Sequence, residues 1–172
     1  MPKKTSAGIL AYRQTDNQLQ VLLVHPGGPF WTRKDEGAWS IPKGEFEPNE
    51  DQLDAAIREF FEETGYTING NFIKLDPVKQ PSGKTIYAFA VEKDLDIAHF
   101  KSNTFAMEWP RGSGIIREFP EIDRVEWFMM EEAKRKILKG QCPILLQLVN
   151  VLNNNPVSDI LNSRGGTCPQ IG

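Results

Sequence analysis

A chain of 172 residues with 40% hydrophobic and 25% charged side chains has enough apolar surface for one well-buried globular domain. Its net charge of −3 excludes a general electrostatic pull toward nucleic acid or an anionic membrane, so a polyanionic ligand would need local cations or metal ions. No run of about 18 apolar residues is present to span a bilayer, and the two cysteines, Cys142 and Cys168, make neither a disulfide framework nor a CxxC metal pair.

Ser6 to Tyr12 and Leu19 to His25 are apolar and strand-like, and the turn cluster Gln14-Thr15-Asp16-Asn17 between them predicts a β-hairpin. The two cysteines without a disulfide framework point to a reducing, cytoplasmic compartment, and Thr5 to Tyr12 is too short and too polar-flanked for a secretory signal. Pro26 to Ala38 is a loop too long and mixed for a simple turn, and Trp39-Ser40-Ile41 reads as a short strand leading to Pro42-Lys43-Gly44. Asn49 to Thr64 is the clearest helix. Asn49 and Gln52 form a capping-box pattern, Gly65 suits the left-handed C-terminal position, and Leu53, Ala56, Ile57, Phe60 and Thr64 share one face. Ile68 to Leu75 and Lys84 to Val91 read as strands joined by the turn Gln80-Pro81-Ser82-Gly83. Asp96 to Asp123 reads as a long irregular stretch, and we expect it to act as a lid. Val125 to Met129 reads as a last strand, with helices over Glu131 to Leu138 and Ile144 to Leu152. The expected organisation is one domain over 1–152 and a frayed tail over 153–172, in the α/β class, with a mixed sheet covered by helices.

The outer face of the Asn49–Thr64 helix carries the chemistry. Glu59 reaches Glu62 at i+3 and Glu63 at i+4, so three carboxylates converge on one patch. Two carboxylates about 4 Å apart repel by roughly 4 kcal/mol at an effective dielectric near 20. A bound cation removes that cost, and carboxylate oxygens suit the hard ions Mg²⁺, Mn²⁺ or Ca²⁺ rather than zinc. Arg58, four residues before Glu62, can hold that carboxylate in one rotamer. Glutamate-rich helix faces are common and usually just solvated, so the cluster alone does not decide the matter.

The surrounding residues do. Gly44, five residues, Glu50, seven residues, then Arg58-Glu59-Phe60-Phe61-Glu62-Glu63-Thr64-Gly65-Tyr66 resembles the complete Nudix box, with all seven fixed positions at the right spacing. With each residue type at roughly 7% of composition, a chance match at one position is on the order of one in 10⁸. The one departure is that the two apolar slots, usually aliphatic, hold Phe60 and Tyr66. The resemblance extends more weakly from about Ser6 to Leu138. It implies the Nudix α/β/α sandwich with a catalytic loop-helix-loop, and hydrolysis of a nucleoside diphosphate-linked substrate by water attack on phosphorus, assisted by Mg²⁺ or Mn²⁺. It also implies roles. Glu59, Glu62 and Glu63 match the metal-binding glutamates, and Glu59 matches the general base of MutT-type members, although the base varies across the family. Arg58 matches the orienting arginine, and the backbone carbonyl of Lys43 matches a further metal ligand. Glu121, six residues ahead of Trp127, matches a glutamate that often joins the site from a loop before the last strand.

Three segments resemble the asymmetric diadenosine tetraphosphate hydrolases: Trp39 to Gly44, the strand Lys84 to Ala90 carrying Tyr87 as a candidate base-stacking residue, and Arg124 to Ala133. Lys43, Gly44, Tyr87, Arg33 and Arg111 are therefore the candidate substrate contacts, with Lys34 and Arg117 as further cations for remote phosphates. Pro81, sixteen residues beyond Gly65, hints at ADP-ribose hydrolases but fits an ordinary turn. A dinucleoside polyphosphate is the expected substrate, a nucleoside triphosphate the alternative, and a non-catalytic nucleotide-binding module the alternative of another class. No basic stripe with aromatics supports an RNA track, and neither a membrane nor a stable nucleic-acid partner is expected.

Overall fold

Strands β1 (Thr5–Thr15) and β2 (Gln18–Pro26) form the expected hairpin, each reaching further than its apolar run. They close through Asp16 and Asn17, whose φ values of 52° and 63° match the twist of a two-residue hairpin turn. The computed structural model describes residues 4–154, so the predicted tail from 155 onward lies outside the described residues, and Asn153 still belongs to the last helix.

Around this hairpin a mixed sheet is assembled. Strand β6 (Thr85–Glu92) runs parallel to β1 from Thr5↔Thr85 to Tyr12↔Glu92, and β9 (Ile122–Met129) runs antiparallel to β2. The short β3 (Lys43–Glu45) pairs antiparallel with the start of β1. On the far edge of β6 lie β4 (Ile73–Lys74) and β5 (Val78–Lys79). The main order is β4-β6-β1-β2-β9.

Alternation along β1 and β2 sends side chains into two separate cores. Leu10, Tyr12, Leu19, Val21 and Leu23 pack with helices α2 (Met130–Lys136) and α3 (Cys142–Asn153) on one side. Ala7, Ile9, Ala11, Leu22 and Val24 pack with Ala55, Ala56 and Phe60 of helix α1 (Gln52–Thr64) on the other. The result is the α/β/α sandwich that the resemblance implied. Among the described residues no helix is long and apolar enough to cross a membrane.

Four expected boundaries are corrected. The cap of α1 is Asp51, whose side chain accepts from the Asp54 N–H, rather than Asn49. The predicted strand Ile68–Leu75 is reduced to β4, because the turn formers Asn69-Gly70-Asn71 break its pairing. Helix α2 stops two residues early because Ile137 turns extended and bridges Trp39, with the Leu138 N–H donating to the Trp39 carbonyl at 2.7 Å. The short strand expected at Trp39–Ile41 is present only as isolated bridges from Trp39 and Ser40.

The largest correction concerns Asp96–Asp123. This stretch holds an ordered hairpin, β7 (Thr104–Glu108) and β8 (Ile116–Pro120), forming its own two-stranded sheet. Its neck is tied to the end of α1. The Lys101 N–H donates to the Thr64 carbonyl and the Asn103 N–H to the Glu62 carbonyl, both at 2.8 Å. These carbonyls have no partner within the helix, so the neck satisfies them. The Glu121 N–H donates back to the Asn103 carbonyl at 2.8 Å and closes the neck. Gly65 sits in the left-handed region at φ 82°, and an added Cβ would lie 2.9 Å from the Lys101 carbonyl oxygen, so both conformation and space favour glycine there.

Candidate active site

Pairing of β3 with β1 brings Lys43 and Gly44 against the outer face of α1. The Lys43 N–H donates to Glu63 Oε2 at 3.2 Å. At Gly44 an added Cβ would lie 1.9 Å from Glu59 Oε2, so the Glu59 carboxylate occupies the volume that any other residue would fill. The spacing between the box glycine and Glu59 is thus a packing requirement as well as a motif.

Arg58 gathers three carboxylates. It grips Glu50 with two parallel bonds, Nε to Oε1 at 2.9 Å and Nη2 to Oε2 at 3.2 Å. Its Nη1 donates to Glu59 Oε1 at 2.8 Å and to Glu62 Oε1 at 3.3 Å. The contact to Glu62 follows from i,i+4 spacing. The grip on Glu50 does not, and it requires the turn Glu47–Glu50 that precedes the helix. The hydrogen bonds from Arg58 hold the Glu50 carboxyl below its ordinary range.

Glu121 completes the acidic patch from the neck of the β7–β8 hairpin. Glu63, Glu121 and Lys43 line one cleft, of about 210 Å³, with Val24, Pro26, Trp31, Ala38, Ser40, Ile122 and Leu138. Burial pushes the Glu63 carboxyl up, and Lys43 opposes that shift. Burial likewise raises Glu59, with Glu62 adding repulsion against the pull of Arg58, and raises Glu121, again with repulsion from Glu62. The Lys43 ammonium is pushed down by burial. All four shifts share one leading cause, burial, which penalises the charged form of each group.

Not every sequence candidate reaches this cleft. Tyr87 lies in the same sheet row as Gly44, both paired to Ala7, but it packs edge-on against Phe46 at 6.1 Å and is absent from the cleft lining. Arg33 and Arg111 are exposed on their loops, and Arg117 lies over the Phe119 ring at 5.7 Å. Sequence reasoning missed Trp31 as a lining residue and Glu50 as the partner of Arg58. The aromatic content of the Pro26–Ala38 loop signalled the first, and the fixed glutamate of the box the second.

The donor chemistry fits a hard divalent cation. Glu59, Glu62, Glu63 and Glu121 offer only carboxylate oxygens and repel one another without a counter-ion, apart from the contacts of Arg58 and Lys43. Among the described residues, no three acidic, His or Cys side chains already enclose an ion-sized space, because Arg58 turns Glu59 and Glu62 toward itself.

The NUDIX domain family model matches residues 2–147, and the chain belongs to the Nudix hydrolase family. Nudix hydrolases generally use divalent metal ions. The Nudix domain of Shewanella oneidensis NrtR, solved with ADP ribose, superposes with a TM-score of 0.63 at 16% identity, over 88% of this chain and 90% of that one. A MutT/Nudix family protein from Enterococcus faecalis gives 0.64 at 18% identity, over 94% and 68%. A Caenorhabditis elegans Ap4A hydrolase, in a binary complex, gives 0.57 at 20% identity, over 88% and 99%. No curated protein matches the chain. At these identities the likenesses establish the fold.

Proposed function

We propose that this protein hydrolyses a phosphoanhydride bond in a nucleoside diphosphate-linked substrate, a dinucleoside polyphosphate such as diadenosine tetraphosphate, with Mg²⁺ or Mn²⁺. The observation that carries this reading is the gathering of Glu50, Glu59 and Glu62 on Arg58, beside a cleft lined by Glu63, Glu121 and Lys43. Glu59, Glu62, Glu63, Glu121 and the Lys43 carbonyl would hold the metal. Once bound, the metal neutralises phosphate oxygens and makes water a stronger nucleophile.

The chain's own groups do the rest. Arg58 fixes the rotamers of Glu59 and Glu62. Glu59, held in the Gly44 slot, accepts the proton of the attacking water at its carboxylate. The water oxygen bonds to phosphorus, the bridging P–O bond breaks, and the leaving phosphate carries away the electron pair. Lys43 lines the same cleft and offers its ammonium to a substrate phosphate.

Arg33 and Arg111 would contact phosphates remote from the cut. Arg111→Ala should raise KM about fivefold with kcat unchanged, as expected for a loss of roughly 1 kcal/mol of uniform binding. An unchanged KM would remove Arg111 from the binding surface.

Resemblance in Trp39–Gly44 and Arg124–Ala133 favours diadenosine tetraphosphate, and the fold shared with an Ap4A hydrolase is compatible with it. The alternative is a nucleoside triphosphate pyrophosphatase. Product analysis in Mg²⁺ and in Mn²⁺ against diadenosine tetraphosphate, ADP-ribose and normal and oxidised nucleoside triphosphates tests this. The expected outcome is ATP plus AMP from the tetraphosphate. Pyrophosphate release from a triphosphate as the faster reaction would favour the alternative. No turnover by a folded, nucleotide-binding protein would favour a non-catalytic binding module.

A further inference from the structure

The reactive cleft has a mixed lining. Glu63, Glu121 and Lys43 supply charged groups, Val24, Pro26, Ala38, Ile122 and Leu138 supply apolar surface, and Trp31 adds a flat indole. A half-buried indole is apolar surface that a planar partner can cover, at little entropic cost if the ring is already held.

Trp31 is held. The Trp31 N–H donates to the Gly28 carbonyl at 3.3 Å, and the Lys34 N–H donates to the Trp31 carbonyl at 2.9 Å, so the segment is coiled into successive turns. The next residues are anchored at several points. The buried His25 ring places Nε2 2.6 Å from the Lys34 carbonyl and Nδ1 2.7 Å from Asp123 Oδ1. Asp35 accepts from Trp39 Nε1 at 2.8 Å and is paired with Lys136, while the Gly37 N–H donates to the Arg135 carbonyl at 3.0 Å. A loop tied to β2, β9 and α2 presents its tryptophan in one place. The Lys34 ammonium lies over the ring, 4.8 Å from its centroid, so one face of the indole already carries a cation and a base would stack on the other.

We propose that Trp31 is the stacking platform for the nucleobase of the substrate, so that this loop rather than Tyr87 reads the base. The inference rests on the nucleotide-substrate reading above for the class of ligand. A flat, polarisable base next to phosphates is what a cleft lined by an indole as well as by carboxylates and an ammonium accommodates.

The probes are the adenosine and guanosine α,β-methylene diphosphates, with methylenediphosphonate as the anion without a base, measured by calorimetry in Mg²⁺. Trp31→Ala should weaken binding of the better nucleoside probe about tenfold and leave methylenediphosphonate within twofold, while Trp31→Phe restores most of the loss. A second readout covers a poorly folding alanine variant: nucleotide-induced quenching of tryptophan fluorescence should be largely lost in Trp31→Phe, which still binds. Equal quenching in wild type and Trp31→Phe would overturn the proposal. So would undiminished affinity in a folded Trp31→Ala, or a wild type that binds no nucleoside probe more tightly than methylenediphosphonate. Neither readout uses turnover, so an inactive wild type would sink the hydrolase reading and leave base stacking measurable.

Discussion

Glu62→Gln should lower kcat on the order of 10³-fold while leaving affinity for a non-hydrolysable nucleotide within a few-fold. Replacing a carboxylate by an amide keeps size and shape but removes the charge that would hold a hard cation. Loss of several kcal/mol of transition-state charge stabilisation corresponds to a rate effect of that size. The side chain is partly exposed and hydrogen-bonds to Arg58 on the helix surface, so the fold has little to lose. Steady-state kinetics and calorimetry on the same preparation separate the readings. A catalyst loses turnover and keeps its ligand. A variant as active as wild type would remove Glu62 from the reaction.

Gly44→Ala should be nearly as damaging to activity, by a different route. The new Cβ would fall 1.9 Å from Glu59 Oε2 and 2.0 Å from its Cδ. These atoms are the far end of a flexible side chain, so the fold yields by expelling the carboxylate rather than by moving the backbone. Displacement by about 1 Å at a reacting group can cost on the order of 10²-fold. Glu59 would also leave the 2.8 Å bond to Arg58. The expected result is a kcat reduced at least about 10²-fold with a melting temperature within a few degrees of wild type. A collapse in melting temperature that accounts for the lost activity would instead make Gly44 a residue of the β1–β3 pairing alone.

Local signals made the first hairpin, helix α1 and the box readable from sequence. Asp16-Asn17 encodes its own turn, and Phe60 with Ala56 marks the buried stripe of the helix. The features that escaped depend on distant partners. Asn49 looked like the better cap, but Glu50 is drawn back onto Arg58 in a turn, which delays the helix to Gln52. Strands β7 and β8 were invisible because β8 is almost wholly exposed and carries no alternation of apolar and polar residues. Trp31 joins Glu63 and Glu121 because the loop that follows it is pinned to β2 and α2. Glu121 was reachable through its offset from Trp127, although nothing in its neighbourhood announces a site.

The closed neck of the β7–β8 hairpin bears on how this fold can vary. One peptide unit on each side of Asn103 connects the backbone of Glu62 to that of Glu121, through the Asn103 N–H and carbonyl. The spacing of these two acids is thereby set by main-chain atoms, which any residue except proline supplies at position 103. Everything between Thr104 and Pro120 hangs beyond that clasp. Residues there can be changed without altering the clasp itself, provided that Phe105 and Trp109 keep their packing against Gly28 and Phe30 of the loop that carries Trp31. The hairpin is a region where new specificity can be tried while the hydrolytic centre stays as it is.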